Sequence, residues 1–198
     1  LVKMKQAGLK RTAFGVETGD EQMIIKIDKH VDHATIRQAF KNAKAAGIET
    51  IGFFIIGLPG DTRESMQKTI EFAIELDPDM ASFHALTPFP GSALWDRRFE
   101  LGTVSDDLSA YTYQGAAFVP HTLTREQIQL LRRQAYRAFY SRPGYLLRRT
   151  LGIRSLHEVA AAWRGARSLV AIWTKRGVCR REESGPWKMS GGGSRPGR

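Results

Sequence analysis

Three short stretches carry residue types suited to holding a ligand, and each follows a run of β-prone residues. "GVETGD" sets Glu17 and Thr18 beside Gly19, "GLPGD" runs from Gly57 to Asp61, and "TPFPGS" runs from Thr87 to Ser92. Gly57, Gly60 and Gly91 let a ligand approach the backbone closely, while Pro59, Pro88 and Pro90 stiffen the path. Gly and Pro after a strand are also ordinary turn residues, so any one of these loops alone is equally well a turn. Three of them in register make a ligand site the better reading.

Repeated strand-and-helix units are what would align them. "RTAFGV" (11–16) is a β-prone run. After it, Asp32 can cap a helix with apolar Ile36, Phe40, Ala43 and Ala46 at helical spacing before Gly47. "IETIGFFII" (48–56) is followed by Asp61 and Glu64 in capping-box spacing and by a helix bearing Met66, Ile70, Ala73 and Ile74. "MASFHAL" (80–86) precedes "SALWDRRFEL", a short helix. Strands that recur every 32–37 residues with helices between them predict an α/β chain with a parallel sheet, either open and doubly wound or closed as a barrel. In both, ligands bind at the carboxyl ends of the strands, where the three loops fall.

Charge divides the chain. Residues 1–120 hold 13 Lys and Arg against 16 Asp and Glu, whereas residues 121–198 hold 17 against 4. The halves therefore face different partners. The chain opens on "LVKMKQAGLK", which reads as the last turns of a helix closed by Gly8 and predicts a C-terminal fragment of a longer protein. No apolar run reaches the roughly 18–20 residues of a membrane span, so a cytoplasmic protein is expected. Cys179 is the only cysteine, which excludes an internal disulfide and any multi-thiolate metal site built from these residues alone.

"FGVETGDEQM", "AKAAGIETIGFFIIGLPGDTRESMQKTIEFAIELDPD" and "FHALTPFPGSALWD" together resemble the second half of the catalytic domain of the radical S-adenosylmethionine (radical SAM) superfamily. The resemblance covers residues 1–100 and is closest to the cobalamin-dependent branch. "FYSRPGYLLRRTLGIRSLHEVAAAWRGA" (139–166) is similar to the C-terminal extension of enzymes related to anaerobic magnesium-protoporphyrin ester cyclase and hopanoid-associated radical proteins. It implies the C-terminal half of a parallel (βα) barrel over residues 1–120 followed by a basic α-helical extension over 121–175; the Gly-, Ser- and Arg-rich composition of 176–198, without periodicity, predicts a disordered tail. It also implies reductive cleavage of S-adenosylmethionine at a 4Fe-4S cluster, a 5′-deoxyadenosyl radical that abstracts a substrate hydrogen, and a cobalamin-binding domain in the parent protein. The family's CxxxCxxC cluster loop has no counterpart here, so the missing N-terminal half would supply the cluster ligands, and the fragment alone should be inactive.

By the same resemblance, Glu17 and Thr18 lie against the cofactor, Glu17 as acceptor for its ribose hydroxyls or ammonium group. A carboxylate can accept two hydrogen bonds from a vicinal diol. The alternatives for Glu17 are a solvated loop carboxylate or a cap for a helix over residues 20–27. Ile55, Ile56, Gly57, Leu58 and Pro59 would lie against adenine, with Gly57 leaving room for the ring and neighbouring backbone supplying edge hydrogen bonds; a structural turn is the alternative. His84 sits on the third strand opposite Phe83 and is either a substrate contact or proton donor, or simply packed; Thr87 and Phe89 would line the substrate mouth.

His30 and His33, three apart, have common surface spacing and no third ligand, so no metal site is expected. Tyr111 and Tyr113 alternate in "YTYQG", a further short strand. Beyond Pro120, Thr124 and Gln127 form a capping box, with Ile128, Leu131, Ala135, Ala138 and Phe139 opposite Arg132, Arg133 and Arg137. Ser155 and Glu158 open a second helix. These basic amphipathic segments either pack their apolar stripe on the sheet or lie on an anionic membrane surface. Nucleic acid is not indicated, since no recognition-helix signature or interleaved aromatic platform is present.

Overall fold

The structure is a computed structural model and describes residues 1–112, 115–151 and 167. Tyr113, the helix expected from Ser155 and the tail with Cys179 lie outside the described residues.

The elements run α1 (Val2–Gln6), β1 (Arg11–Glu17), α2 (Glu21–Lys26), α3 (His33–Ala45), β2 (Glu49–Ile56), α4 (Arg63–Leu76), β3 (Met80–Ala85), α5 (Ala93–Asp96), α6 (Arg98–Leu101), β4 (Gly102–Val104), β5 (Phe118–Pro120), α7 (Arg125–Tyr140) and α8 (Pro143–Leu151). β1, β2 and β3 form a parallel sheet in sequence order, in the α/β architecture expected of a partial barrel. β4 and β5 pair antiparallel. Of the strand expected at 111–115, Tyr111 follows a single 3-10 turn at Leu108–Ala110 and residues 113–114 lie outside the described residues; β5 forms later, where Phe118 is fully buried against β4.

Alternation along the strands separates two faces. Thr50, Gly52, Phe54 and Ile56 of β2 are buried, as are Ala81, Phe83 and Ala85 of β3. These meet Ile36 and Phe40 of α3, Met66, Ile70 and Ala73 of α4, and Ile128, Leu131, Ala135 and Phe139 of α7 in one core. The apolar stripe of α7 is thus built into the sheet's own core, which burial of aliphatic and aromatic surface strongly favours. The opposite face stays open: Ala13 and Gly15 are exposed, Phe53 is 37% exposed, and Ile51, Ile55, Ser82 and His84 are half-buried. Ile55 is the register partner of His84 there.

α7 also closes one edge of the sheet. The Tyr140 hydroxyl accepts from Ala81 N–H at 3.1 Å and donates to Ala81 C=O at 2.8 Å. Phe83 N–H donates to the Tyr136 hydroxyl at 3.2 Å, and the Tyr145 hydroxyl donates to Asp79 C=O at 3.1 Å. Residues 79, 81 and 83 alternate along one edge, so three tyrosines stand where a fourth strand would pair. Burial pushes the Tyr140 hydroxyl up to about 12, which keeps its proton in place for donation.

Asp77 ties the C-terminal helices to this layer. It ends α4 in the left-handed region at φ 47° and pairs with Arg142 at 3.0 Å, Arg148 at 2.6 Å and Lys44 at 3.4 Å. Two of the extension's arginines are therefore bound to the fold. Burial opposes the Asp77 charge, but Arg148, Arg142 and Lys44 outweigh it and hold the carboxyl below its ordinary value of 3.8. A lowered folded pKa contributes stability that is complete above the unfolded value and is lost as pH falls through the folded one. Asp77→Asn is expected to flatten acid unfolding below about pH 4 and to lower the melting temperature at neutral pH, read by circular dichroism.

Candidate functional site

The site is built on the open face at the carboxyl ends of β1, β2 and β3. β1 runs in register with β2 until Gly15 meets Phe53; the register then shifts, and Glu17 meets Phe54. At that irregularity Glu17 adopts φ 69°, a conformation a side chain with a Cβ enters at a cost of about 1–2 kcal/mol. The turn brings its carboxylate back across β1: a Cβ on Gly15 would lie 2.6 Å from Glu17 Oε1. Lys29 approaches the same oxygen at 3.3 Å, and both side chains remain about a quarter exposed. The charge thus stands on the open face within reach of a ligand.

Thr18, adjacent in sequence, goes the other way. It is fully buried, its hydroxyl is 3.1 Å from that of Thr69 and accepts from Asp20 N–H, and Gly19 N–H donates to Thr69 at 2.9 Å. Its side chain joins β1 to α4 and has no face toward the open side. His33, which its spacing places at the surface, is 5% exposed, packs with its ring tilted against that of Phe72 at 4.3 Å and meets Thr18 C=O through Nε2 at 3.2 Å. His30 lies exposed beside Asp28. The cap of α2 is Asp20, whose carboxylate accepts from Gln22 and Met23 N–H, so Glu17 is not its cap. Lys68, hydrogen-bonded at 2.7 Å, draws the Asp20 carboxyl below its ordinary value.

The GLPG turn is held from within. Asp61 is 1% exposed; Gly57 N–H and Leu58 N–H donate to Oδ2 at 3.0 and 2.8 Å, and the Ser65 hydroxyl donates to Oδ1 at 2.6 Å. Asp61 is therefore not the cap of α4 that its spacing from Glu64 predicts: Thr62 and Ser65 form the capping box, because the Asp61 carboxylate is drawn back under the turn. Burial raises the Asp61 pKa, against the three donors that lower it. Two amides expected to meet an adenine edge are committed to this carboxylate, and Leu58 is 4% exposed. The space beside Gly57 is filled by Ile128, whose Cδ1 would be 3.0 Å from a Cβ there. Ile56 is fully buried, while Ile55 and Pro59 keep partial exposure.

His84 lies on the open face with its ring 5.5 Å from that of Phe53, opposite the buried Phe83. Burial lowers its pKa, and Arg132 lowers it further while Glu17 raises it. Glu17, His84 and Arg132 thus share one electrostatic neighbourhood, in which His84 is neutral at pH 7. Thr87 is half-buried and Phe89 is 57% exposed on the loop above β3.

A strand-end carboxylate on an open parallel sheet, followed by a glycine turn on the next strand, agrees with the family comparison: residues 1–73 match the model of the radical SAM superfamily. These residues belong to the radical SAM superfamily. The chain is 36% identical over 146 residues to the uncharacterized methyltransferase PH0819 of Pyrococcus horikoshii, covering 73% of this chain and 32% of that protein. It is 28% identical to the anaerobic magnesium-protoporphyrin IX monomethyl ester cyclase of Cereibacter sphaeroides, over 69% of this chain and 22% of the cyclase. The cytidylyl-2-hydroxyethylphosphonate methyltransferase of Streptomyces wedmorensis is 32% identical, over 70% and 28%. The chain spans about a third or less of the length of these curated relatives. Among solved structures, the coproporphyrinogen III oxidase HemN of Escherichia coli, a radical SAM enzyme, superposes with a TM-score of 0.50 over 71% of this chain and 28% of the oxidase. At 22% identity that likeness shows the fold alone.

The residues of this radical SAM segment suit one part of an S-adenosylmethionine. Glu17 has a partly exposed carboxylate able to accept hydrogen bonds, and Ile55 has apolar surface on the same face. An iron-sulfur cluster does not fit this chain's own donors, since Cys179 is its single cysteine. What sequence reasoning missed is Asp61 as the keystone of the turn. The signal available was its position four residues beyond Gly57 at a strand end, where freed backbone amides need an acceptor.

Proposed function

We propose that this chain is the cofactor-binding C-terminal part of a radical SAM enzyme. Its open sheet face holds the nucleoside portion of S-adenosylmethionine, with Glu17 receiving the ribose hydroxyls or ammonium group and Ile55 and Pro59 bordering adenine. A CxxxCxxC loop and a cobalamin-binding domain lie upstream in the same polypeptide. A cluster held there would supply the family's reductive chemistry, while this chain's residues hold and orient the nucleoside beside an apolar substrate. Phe53 and Phe89, both exposed beside His84 and Thr87, favour an apolar substrate over a highly charged one.

The observation that carries the reading is Glu17 itself. Left-handed backbone at a non-glycine residue persists where its surroundings over-determine it, and such strain gathers at ligand sites. In the full-length protein, Glu17→Gln is expected to weaken S-adenosylmethionine binding by about 10- to 100-fold in calorimetry, the range for a lost charge-assisted hydrogen bond. Glu17→Asn, whose side chain tolerates this backbone, should keep the melting temperature while losing the same affinity. Unchanged affinity in both would remove Glu17 from the site. A coding sequence without an upstream CxxxCxxC would remove the enzymatic reading.

A further inference from the structure

The GLPG turn is gripped from outside as well as from within, and the outer grip comes from the segment beyond β5. Thr122 donates its hydroxyl to Asp61 C=O at 2.5 Å. Ile128, 1% exposed on the first turns of α7, occupies the space beside Gly57. Asp61 in turn holds the Gly57 and Leu58 amides through its carboxylate. One contact therefore bears on the backbone of Asp61 and the other on the Cα of Gly57, at the two ends of the same turn. Both come from outside the matched residues 1–73.

We propose that Thr122 and Ile128 are positioning residues for the cofactor wall: they set the height of the GLPG turn above the end of β2, and through it the placement of Pro59 and Ile55. The extension is then part of the cofactor site's construction without touching the cofactor. This inference rests on the cofactor reading given above. Gly57, at φ 90°, gives the turn a conformation that other residues rarely share, so its position depends on what packs against it. A buried isoleucine on one side and a carboxylate clamp on the other leave it a single seat.

Ile128 also packs in the core, so Thr122, an exposed residue outside it, is the discriminating residue. The test uses the full-length protein with Thr122→Val, Thr122→Ser and Ile128→Val, reading amide hydrogen exchange and the calorimetric affinity for S-adenosylhomocysteine. In Thr122→Val the Gly57 and Leu58 amides are expected to exchange about tenfold faster while those of Phe54 and Phe83 are unchanged, and affinity should fall about fivefold. Thr122→Ser should restore both, and Ile128→Val should weaken affinity more than it lowers the melting temperature. Unaltered exchange at Gly57 and Leu58 in Thr122→Val, or unaltered affinity where the wild type binds, overturns the inference and leaves the cofactor reading standing. A wild-type protein that binds no S-adenosylhomocysteine overturns the cofactor reading, and this inference with it.

Discussion

Asp61→Ala is expected to cost about 3–5 kcal/mol of folding stability, because it strands the buried amides of Gly57 and Leu58 at about 1–3 kcal/mol each and leaves the Ser65 hydroxyl only its bonds to the Thr62 backbone. For a domain of this size that is a large share of the total stability. A urea titration should place the variant's midpoint far below that of the wild type. Asp61→Asn keeps one carbonyl oxygen for the two amides and turns its NH2 toward Ser65, so its loss should be about 1–2 kcal/mol. The pH dependence separates charge from shape. A carboxyl whose folded pKa is raised contributes stability that is complete below the unfolded value of 3.8 and is lost as pH climbs through the folded value. The advantage of wild type over Asp61→Asn should therefore shrink as pH rises from 4, which is opposite in sign to the Asp77 effect. A constant difference across that window would show that burial does not govern the Asp61 charge.

Gly19→Ala is the second severe change. A Cβ there would lie 2.5 Å from Lys68 C=O, 2.6 Å from Phe72 Cβ and 2.8 Å from Thr69 Cα. Two of these are backbone atoms of α4, which no rotamer change can move. Either α4 retreats from the end of β1, breaking the Gly19–Thr69 hydrogen bond, or the β1–α2 loop lifts away with Asp20. The expected loss is about 3 kcal/mol, at the upper end for an overpacked site. Since the loop carries Glu17, affinity for S-adenosylmethionine should fall with stability, whereas Glu17→Asn separates the two. A melting temperature within a degree of wild type would show that helix and loop are not in rigid contact.

Periodicity carried much of the fold. Apolar spacing after Asp32, Asp61 and Thr124 appears as α3, α4 and α7, and the runs at 11–16, 48–56 and 80–86 appear as the parallel strands β1, β2 and β3, each bound shifting by at most one residue. These segments are regular and long enough for local pattern to decide them. Asp32 and Thr124 cap as their spacing predicts, because a cap is a contact within four residues. Asp61 departs from its spacing for a tertiary reason: amides released at the end of β2 compete for its carboxylate, and Thr62, one residue later, serves as the cap instead.

Glu17 and Thr18 draw the same line within two adjacent residues. Their types and place at a strand end were legible, and they marked the loop as a ligand candidate. Only the register shift in β1 and the close seat of Gly19 on α4 send Glu17 to the open face and Thr18 into the interior. The edge tyrosines are similar: Tyr136 and Tyr140 lie in the segment whose spacing predicts a helix, and become substitutes for a strand once α7 lies along β3. Residue order determined which elements form and which strand ends carry turn and carboxylate residues, because helix period, strand alternation and caps are local. Tertiary structure decided which of their side chains face the open side of the sheet, because hydrogen-bond demand and steric room at each position are set by segments 40 to 70 residues away.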